Sequence, residues 1–216
     1  MIGIQSTTGQ LRLLCLGAHC DDIEIGCGGT ILQLAEHYPD LECWWVVFSS
    51  NEQREQEARR GADVFLRNVR TKHIVVERYP DGFFPYVGAD IKATFEDIKQ
   101  RFTPDLIFTH YRDDRHQDHR VISDLTWNTW RQHMILEYEI PKYDGDVGTP
   151  NVYVPLSEQT CQQKVRYVLD TYTSQADKHW FTADTFMALL RLRGIESPHR
   201  TQFAEAFYGR KLSFKV

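Results

Sequence analysis

Two short runs of this 216-residue chain carry side chains able to hold a metal ion. The first is Ala18-His19-Cys20-Asp21-Asp22; the second is His110-Tyr111-Arg112-Asp113-Asp114-Arg115-His116-Gln117-Asp118-His119, with three histidines and three aspartates in ten residues. Neutral imidazole and carboxylate both suit Zn²⁺ and related divalent ions. His19 and Asp22 are three apart, so on a turn both can face one ion. His116 and His119 have the same spacing and share a side if a helix begins there. A catalytic zinc keeps three protein ligands and one position open for water. More candidates are present than such a site has places. The others are free for different work: an aspartate beside the ligands to take a proton from water, or a histidine to steady an oxyanion. The spacings alone leave these assignments open.

The elements around the two runs decide whether they can meet. Residues 11–16 are an apolar run that reads as a buried strand, followed by the first cluster, a glycine-rich turn (Gly26, Gly28, Gly29) and a helix over 30–37. Residues 41–48, 72–77 and 105–109 read as three more strands, and 51–66 and 91–102 as amphipathic helices, the first with Asn51 as N-cap. This alternation predicts β-α-β units, hence an α/β fold with a mostly parallel sheet and helices on both faces. Ligand sites in such sheets lie beyond the carboxyl ends of the strands, where both clusters fall. They can therefore converge on one point. Farther on, 135–140 and 151–154 read as strands separated by a Gly/Pro-bearing loop, 158–171 and 182–193 as helices, and 202–208 fits either type.

Composition narrows the function. The formal net charge is −5 and no long basic run occurs, which argues against a nucleic-acid binder that works by neutralising phosphates. The five cysteines are odd in number and form no Cys-x-x-Cys pair, against a disulfide framework or a cysteine zinc site. Cys15 and Cys43 sit in strand-like runs as core residues. Residues 1–10 lack the apolar core of a signal peptide, and no run is long enough to cross a bilayer. These features predict a soluble, cytoplasmic protein, with residues 1–216 forming one domain. A phosphate-binding turn is a poor account of the first cluster, because Gly26-x-Gly28-Gly29 lacks the dinucleotide spacing and the acidic residues ahead of it repel phosphate. A charge-paired helix start would explain the second cluster taken singly, but not the pair.

At these residues the chain resembles the PIG-L/LmbE-type metal-dependent deacetylases, whose motifs read Ala-His-Pro-Asp-Asp and His-x-Asp-His. Here they stand as Ala18-His19-Cys20-Asp21-Asp22 and His116-Gln117-Asp118-His119. The segment Phe203-Ala204-Glu205-Ala206-Phe207 also resembles the end of that family's sequences. The resemblance implies a Rossmann-like three-layer sandwich and hydrolysis of an N-acetyl group on an amino sugar or its conjugate. It implies a zinc ion, with ferrous iron or another divalent cation as alternatives, held by His19, Asp22 and His119. Asp21 is then the general base. His116 polarises the carbonyl or protonates the leaving amine, oriented by Asp118. Arg54 and Asp81 are candidate sugar contacts, although Arg54 also fits an ion pair along its helix and Asp81 an ordinary turn. His110 and Asp114 are candidates to orient the metal-bound histidines. The family proline is Cys20 here, which removes a stiff φ and brings a thiol near the metal. The tryptophans, Trp127 and Trp130 among them, are assigned to the core or to a contact between copies in a homo-oligomer. Residues 83–89 and 141–150 are the candidate specificity loops. Hydrolysis of another amide or ester, and a non-catalytic sugar- or nucleotide-binding module, are the rival functions.

Overall fold

In the computed structural model, which describes residues 10–212, strand β1 (Arg12–Gly17) shows how the layers arise. Leu13 and Cys15 point into one apolar cluster, and Leu14 and Leu16 into another on the opposite face. Strand β2 (Glu42–Val47) repeats the pattern, with Cys43, Trp45 and Val47 on one side and Trp44 and Val46 on the other. Continuous apolar strands of this kind are stable only when both faces are covered. Each fully buried large side chain contributes about 1.5–3 kcal/mol. The polar stretch 1–9, expected to lack a signal-peptide core, lies outside the described residues.

Helices α1 (Asp22–His37) and α2 (Glu52–Phe65) cover the first face, and α3 (Gly88–Arg101) the second. Strand β3 (Thr71–Val76) precedes α3, and β4 (Leu106–His110) precedes α4 (Gln117–Thr129), which joins α3 on its face. The chain continues through β5 (Met134–Tyr138), β6 (Val152–Leu156), α5 (Glu158–Thr171), α6 (Ala183–Glu196) and β7 (Phe203–Gly209). The last two helices pack with α1 and α2. Among the described residues, seven strands form one sheet in the order β3-β2-β1-β4-β5-β7-β6. The first five run parallel, and β7 is antiparallel to both β5 and β6. The result is a Rossmann-like three-layer sandwich. From β1 the chain winds outward through β2 and β3, then returns to β4 on the other side of β1. The crevice between β1 and β4 is therefore the switch point where such sheets bind ligands.

One expectation changes, and two that were open are settled. The glycine-rich turn is the interior of α1, which begins at Asp22. A Cβ on Gly26 would enter the Tyr138 ring, one on Gly28 would meet Phe65, and one on Gly29 would meet Leu156. The glycines let the helix lie close to its neighbours rather than turn the chain. The ambiguous segment 202–208 is β7, inserted between β5 and β6. Trp130 is 1% exposed and packs on Phe95 with ring centroids 5.6 Å apart, so it is core and unavailable to a contact between copies. Trp127 donates to Glu137 Oε1 and lies under the Arg210 guanidinium.

Candidate metal centre

The loop after β1 closes on itself through its own acidic residue: the His19 backbone N–H donates to Asp22 Oδ2 at 2.6 Å. Asp21 then caps the first turn of α1, its carbonyl accepting from Ile25 N at 3.0 Å. This loop is tied to β4, because Ala18 N donates to His110 Nε2 at 2.9 Å. The second run starts α4. Asp114 Oδ1 accepts from His116 N at 2.8 Å, and His116 is the N-cap, with Nδ1 accepting from Asp118 N at 3.3 Å. That turn faces His119 back toward the β1 loop.

His19, Asp22 and His119 meet. His19 Nδ1 lies 3.2 Å from His119 Nε2 and 3.3 Å from Asp22 Oδ2, and His119 Nε2 lies 3.5 Å from Asp22 Oδ1. Ligands about 2.0–2.1 Å from a tetrahedral zinc are separated by roughly 3.3–3.4 Å. The pairwise separations are close to that size, with Asp22 turning Oδ2 to His19 and Oδ1 to His119; the donors are two imidazoles and a carboxylate, and all three residues are buried. Both imidazoles are oriented from behind. His119 Nδ1 lies 2.9 Å from Asp114 Oδ2, while His19 Nε2 lies 3.0 Å from Asp81 Oδ1 and 3.3 Å from Asp118 Oδ2. A ring nitrogen that gives its proton to a carboxylate leaves the other nitrogen's lone pair for a metal. Among the described residues, metal-capable donors also group as His19/His116/His119, His19/Asp81/His116/Asp118 and Asp22/His110/His119. These sets overlap around one centre with donors in excess of what one ion takes.

The electrostatics follow from this crowding. Burial opposes the charge on His19, but Asp22, Asp118 and Asp81 outweigh it and hold its pKa well above 6.5. Burial, with His110 adding repulsion, pushes His119 down to about 3. Burial also opposes the Asp22 carboxylate, yet His119, His110 and His19 draw it well below the usual range. His116 is lowered by burial and by His19.

The remaining candidates fall in definite places. Asp21 is buried, and its Oδ1 accepts from Arg54 NH2 at 2.7 Å. Arg54 therefore holds the candidate base rather than pairing along its helix; Glu57, three residues on, accepts from Thr173 and Ser174 instead. Asp118 touches His116 through its backbone N–H. Its carboxylate instead accepts from Gly82 N at 2.7 Å and Phe84 N at 3.1 Å, fixing the loop after β3. The expected orientation of His116 by the Asp118 side chain is not the arrangement found. Asp81 is exposed at the rim, with its carboxyl drawn to about 2 by its hydrogen bond to His19. The Cys20 thiol donates to Ser49 O at 3.3 Å, and burial holds it protonated far above the usual thiol range. Sequence reasoning missed Lys142, whose Nζ lies 2.9 Å from Asp114 Oδ2 and 2.6 Å from Asp146 Oδ2. A single lysine in a loop carries no spacing signal that could have found it.

The model of one protein family, described as PIG-L: GlcNAc-PI de-N-acetylase, matches residues 14–130. The chain belongs to the PIG-L family. That span contains both clusters and the crevice between β1 and β4. The uncharacterised deacetylase YaiS of Escherichia coli (strain K12) is 28% identical over 151 residues, covering 64% of this chain and 78% of that protein. The N,N'-diacetylchitobiose deacetylase of Pyrococcus horikoshii, solved with an inhibitor, superposes with a TM-score of 0.69 at 20% identity over 92% of this chain and 83% of that one. GalB, the 4-carboxy-2-hydroxymuconate hydratase of Pseudomonas putida KT2440, superposes with a TM-score of 0.74 at 16% identity over 95% and 98% of the two chains. At these identities the likeness is one of fold alone. Among the described residues, no helix is long and apolar enough to cross a membrane.

Proposed function

We propose that this PIG-L family protein is a metal-dependent deacetylase, one domain over residues 1–216, that hydrolyses the N-acetyl group of an amino sugar or amino-sugar conjugate in the cytoplasm. The observation that carries the reading is the convergence of His19 Nδ1, His119 Nε2 and the two oxygens of the Asp22 carboxylate at separations of 3.2–3.5 Å, with the carboxylate of Asp21 adjacent in sequence. His19, Asp22 and His119 hold the ion. Zinc fits two imidazoles and a carboxylate, and ferrous iron accepts the same set. When bound, the ion lowers the pKa of water and polarises a carbonyl.

The chain's own groups do the rest. The water that attacks the acetyl carbonyl gives its proton to Asp21, whose carboxylate Arg54 holds in place at 2.7 Å. His116 accepts the Asp118 N–H at Nδ1, so its neutral ring carries the proton on Nε2. Its lowered pKa keeps it neutral near pH 7. It therefore donates a hydrogen bond to the oxygen that becomes negative, rather than acting as an imidazolium. Collapse releases acetate and a free amine, with Asp21 returning its proton to the nitrogen. Asp81 at the rim accepts from sugar hydroxyls.

The test is acetate release from a panel of N-acetylated amino sugars by protein reconstituted with one equivalent of zinc, with and without chelator. Acetate that disappears on chelation supports the reading. No acetate from any member, with the metal bound, overturns it. Release of a different acid would favour hydrolysis of another amide or ester.

A further inference from the structure

The loop after β3, whose Asp81 and Phe84 reach His19, leaves two aromatic rings in water. Phe83 is 58% exposed and Tyr86 82%, with ring centroids 6.1 Å apart. Phe84, between them, is fully buried, and its ring stacks on His19 at 6.2 Å. The loop is not loose. The two oxygens of buried Asp118 accept from Gly82 N and Phe84 N, bracketing Phe83, and Gln117 Nε2 donates to Gly82 O at 3.2 Å. Phe84–Tyr86 then close a 3₁₀ turn. Gly82 has φ +80, a conformation that favours glycine. The same Asp118 carboxylate lies 3.3 Å from His19 Nε2, so the backbone under the rings is fixed by the group that orients a metal histidine.

Rings held this way lose little freedom when a ligand lands on them, which is what makes preorganised aromatic contacts effective. The chemistry of the loop says what lands. Residues 82–89 read Gly-Phe-Phe-Pro-Tyr-Val-Gly-Ala and carry no charge, so an anionic group finds no cation there. Asp81, at the head of the loop and 3.0 Å from His19 Nε2, is the loop's carboxylate and suits hydroxyls. The rings after it suit an apolar group attached to the sugar. We infer that Phe83 and Tyr86 are specificity-determining residues that stack on an uncharged, apolar aglycone, so that the preferred substrate is an aryl or alkyl conjugate of an N-acetylated amino sugar rather than the free sugar or a phosphorylated one. This rests on the deacetylase reading of the centre.

The probes are 4-nitrophenyl N-acetyl-β-D-glucosaminide and free N-acetylglucosamine, offered to the zinc-loaded protein, with KM from acetate release and Kd from calorimetry. Wild type is expected to prefer the aryl glycoside about tenfold in KM and Kd. Phe83→Ala and Tyr86→Ala should each bring the two values to within about twofold, while Phe83→Tyr and Tyr86→Phe keep the preference. Equal values for both probes in wild type, or alanine variants that keep the ratio, overturn the inference. Calorimetry reads the rings without turnover. An aryl preference without acetate would therefore leave the aromatic contact standing and count against the deacetylase reading.

Discussion

Asp114 Oδ2 lies 2.9 Å from His119 Nδ1 and also 2.9 Å from Lys142 Nζ, while Oδ1 of the same carboxylate accepts the His116 N–H at 2.8 Å. One buried carboxylate thus orients the imidazole proposed to hold the metal, the start of α4 and the 141–150 loop. Asp114→Ala is expected to weaken zinc binding about 10–100-fold. Competition against a chromophoric chelator measures this, with circular dichroism confirming the fold. Unchanged zinc affinity would remove Asp114 from the site.

Asp21 and His119 should fail differently. Asp21→Asn keeps the size of the side chain and removes the proton acceptor, so kcat falls about 10²–10⁴-fold with zinc content near one per chain. His119→Ala removes a ligand and loses the metal. Arg54→Met leaves Asp21 without its 2.7 Å partner and should lower kcat with zinc retained. Parallel elemental analysis and kinetics separate the three, and equal loss of metal in all of them would refute the role of Asp21 as base.

Metal binding should release a proton. His19 is held well above 6.5 by neighbouring carboxylates despite its burial, whereas burial and His110 push His119 to about 3. In the metal-free protein at pH 7, His19 is therefore charged and His119 neutral. Zinc must displace the His19 proton, so its affinity rises with pH, about tenfold per unit up to the folded pKa of His19, and levels off above it. The sign for stability is opposite. The raised pKa favours the metal-free fold fully below 6.5, and that contribution fades as pH rises through the folded value. Calorimetry in buffers of different ionisation enthalpy should count about one proton per ion; a count of zero at pH 7 contradicts the assignment.

Far from the water-facing rim, a buried ion pair braces α1. Glu205 of β7 accepts from Gly29 N at 2.7 Å and Thr30 N at 2.6 Å, and Lys164 of α5 reaches both Glu205 and Ile25 O. Opposite charges buried together against a helix in this way need each other. Lys164→Met leaves Glu205 buried without its cation and is expected to cost about 3–5 kcal/mol. Urea unfolding followed by circular dichroism measures it. A loss below about 1 kcal/mol would mean the charge is satisfied by the helix N–H groups alone.

What the sequence determined by itself was chemistry at short range. His19 with Asp22, His116 with His119, and the strand-helix alternation are patterns between near neighbours, and alternation alone sends the ends of β1 and β4 to one edge of the sheet. That made the meeting of the two clusters legible before any coordinates. The tertiary structure decided what depends on contacts distant in the chain. Gly26, Gly28 and Gly29 looked like a turn because their reason, the approach of Tyr138, Phe65 and Leu156 to α1, lies elsewhere in sequence. Arg54 landed on Asp21, the Asp118 carboxylate on the backbone of residues 82 and 84, and Lys142 on Asp114. Periodicity reports which way a side chain faces; only strand order and packing settle which distant group it meets there.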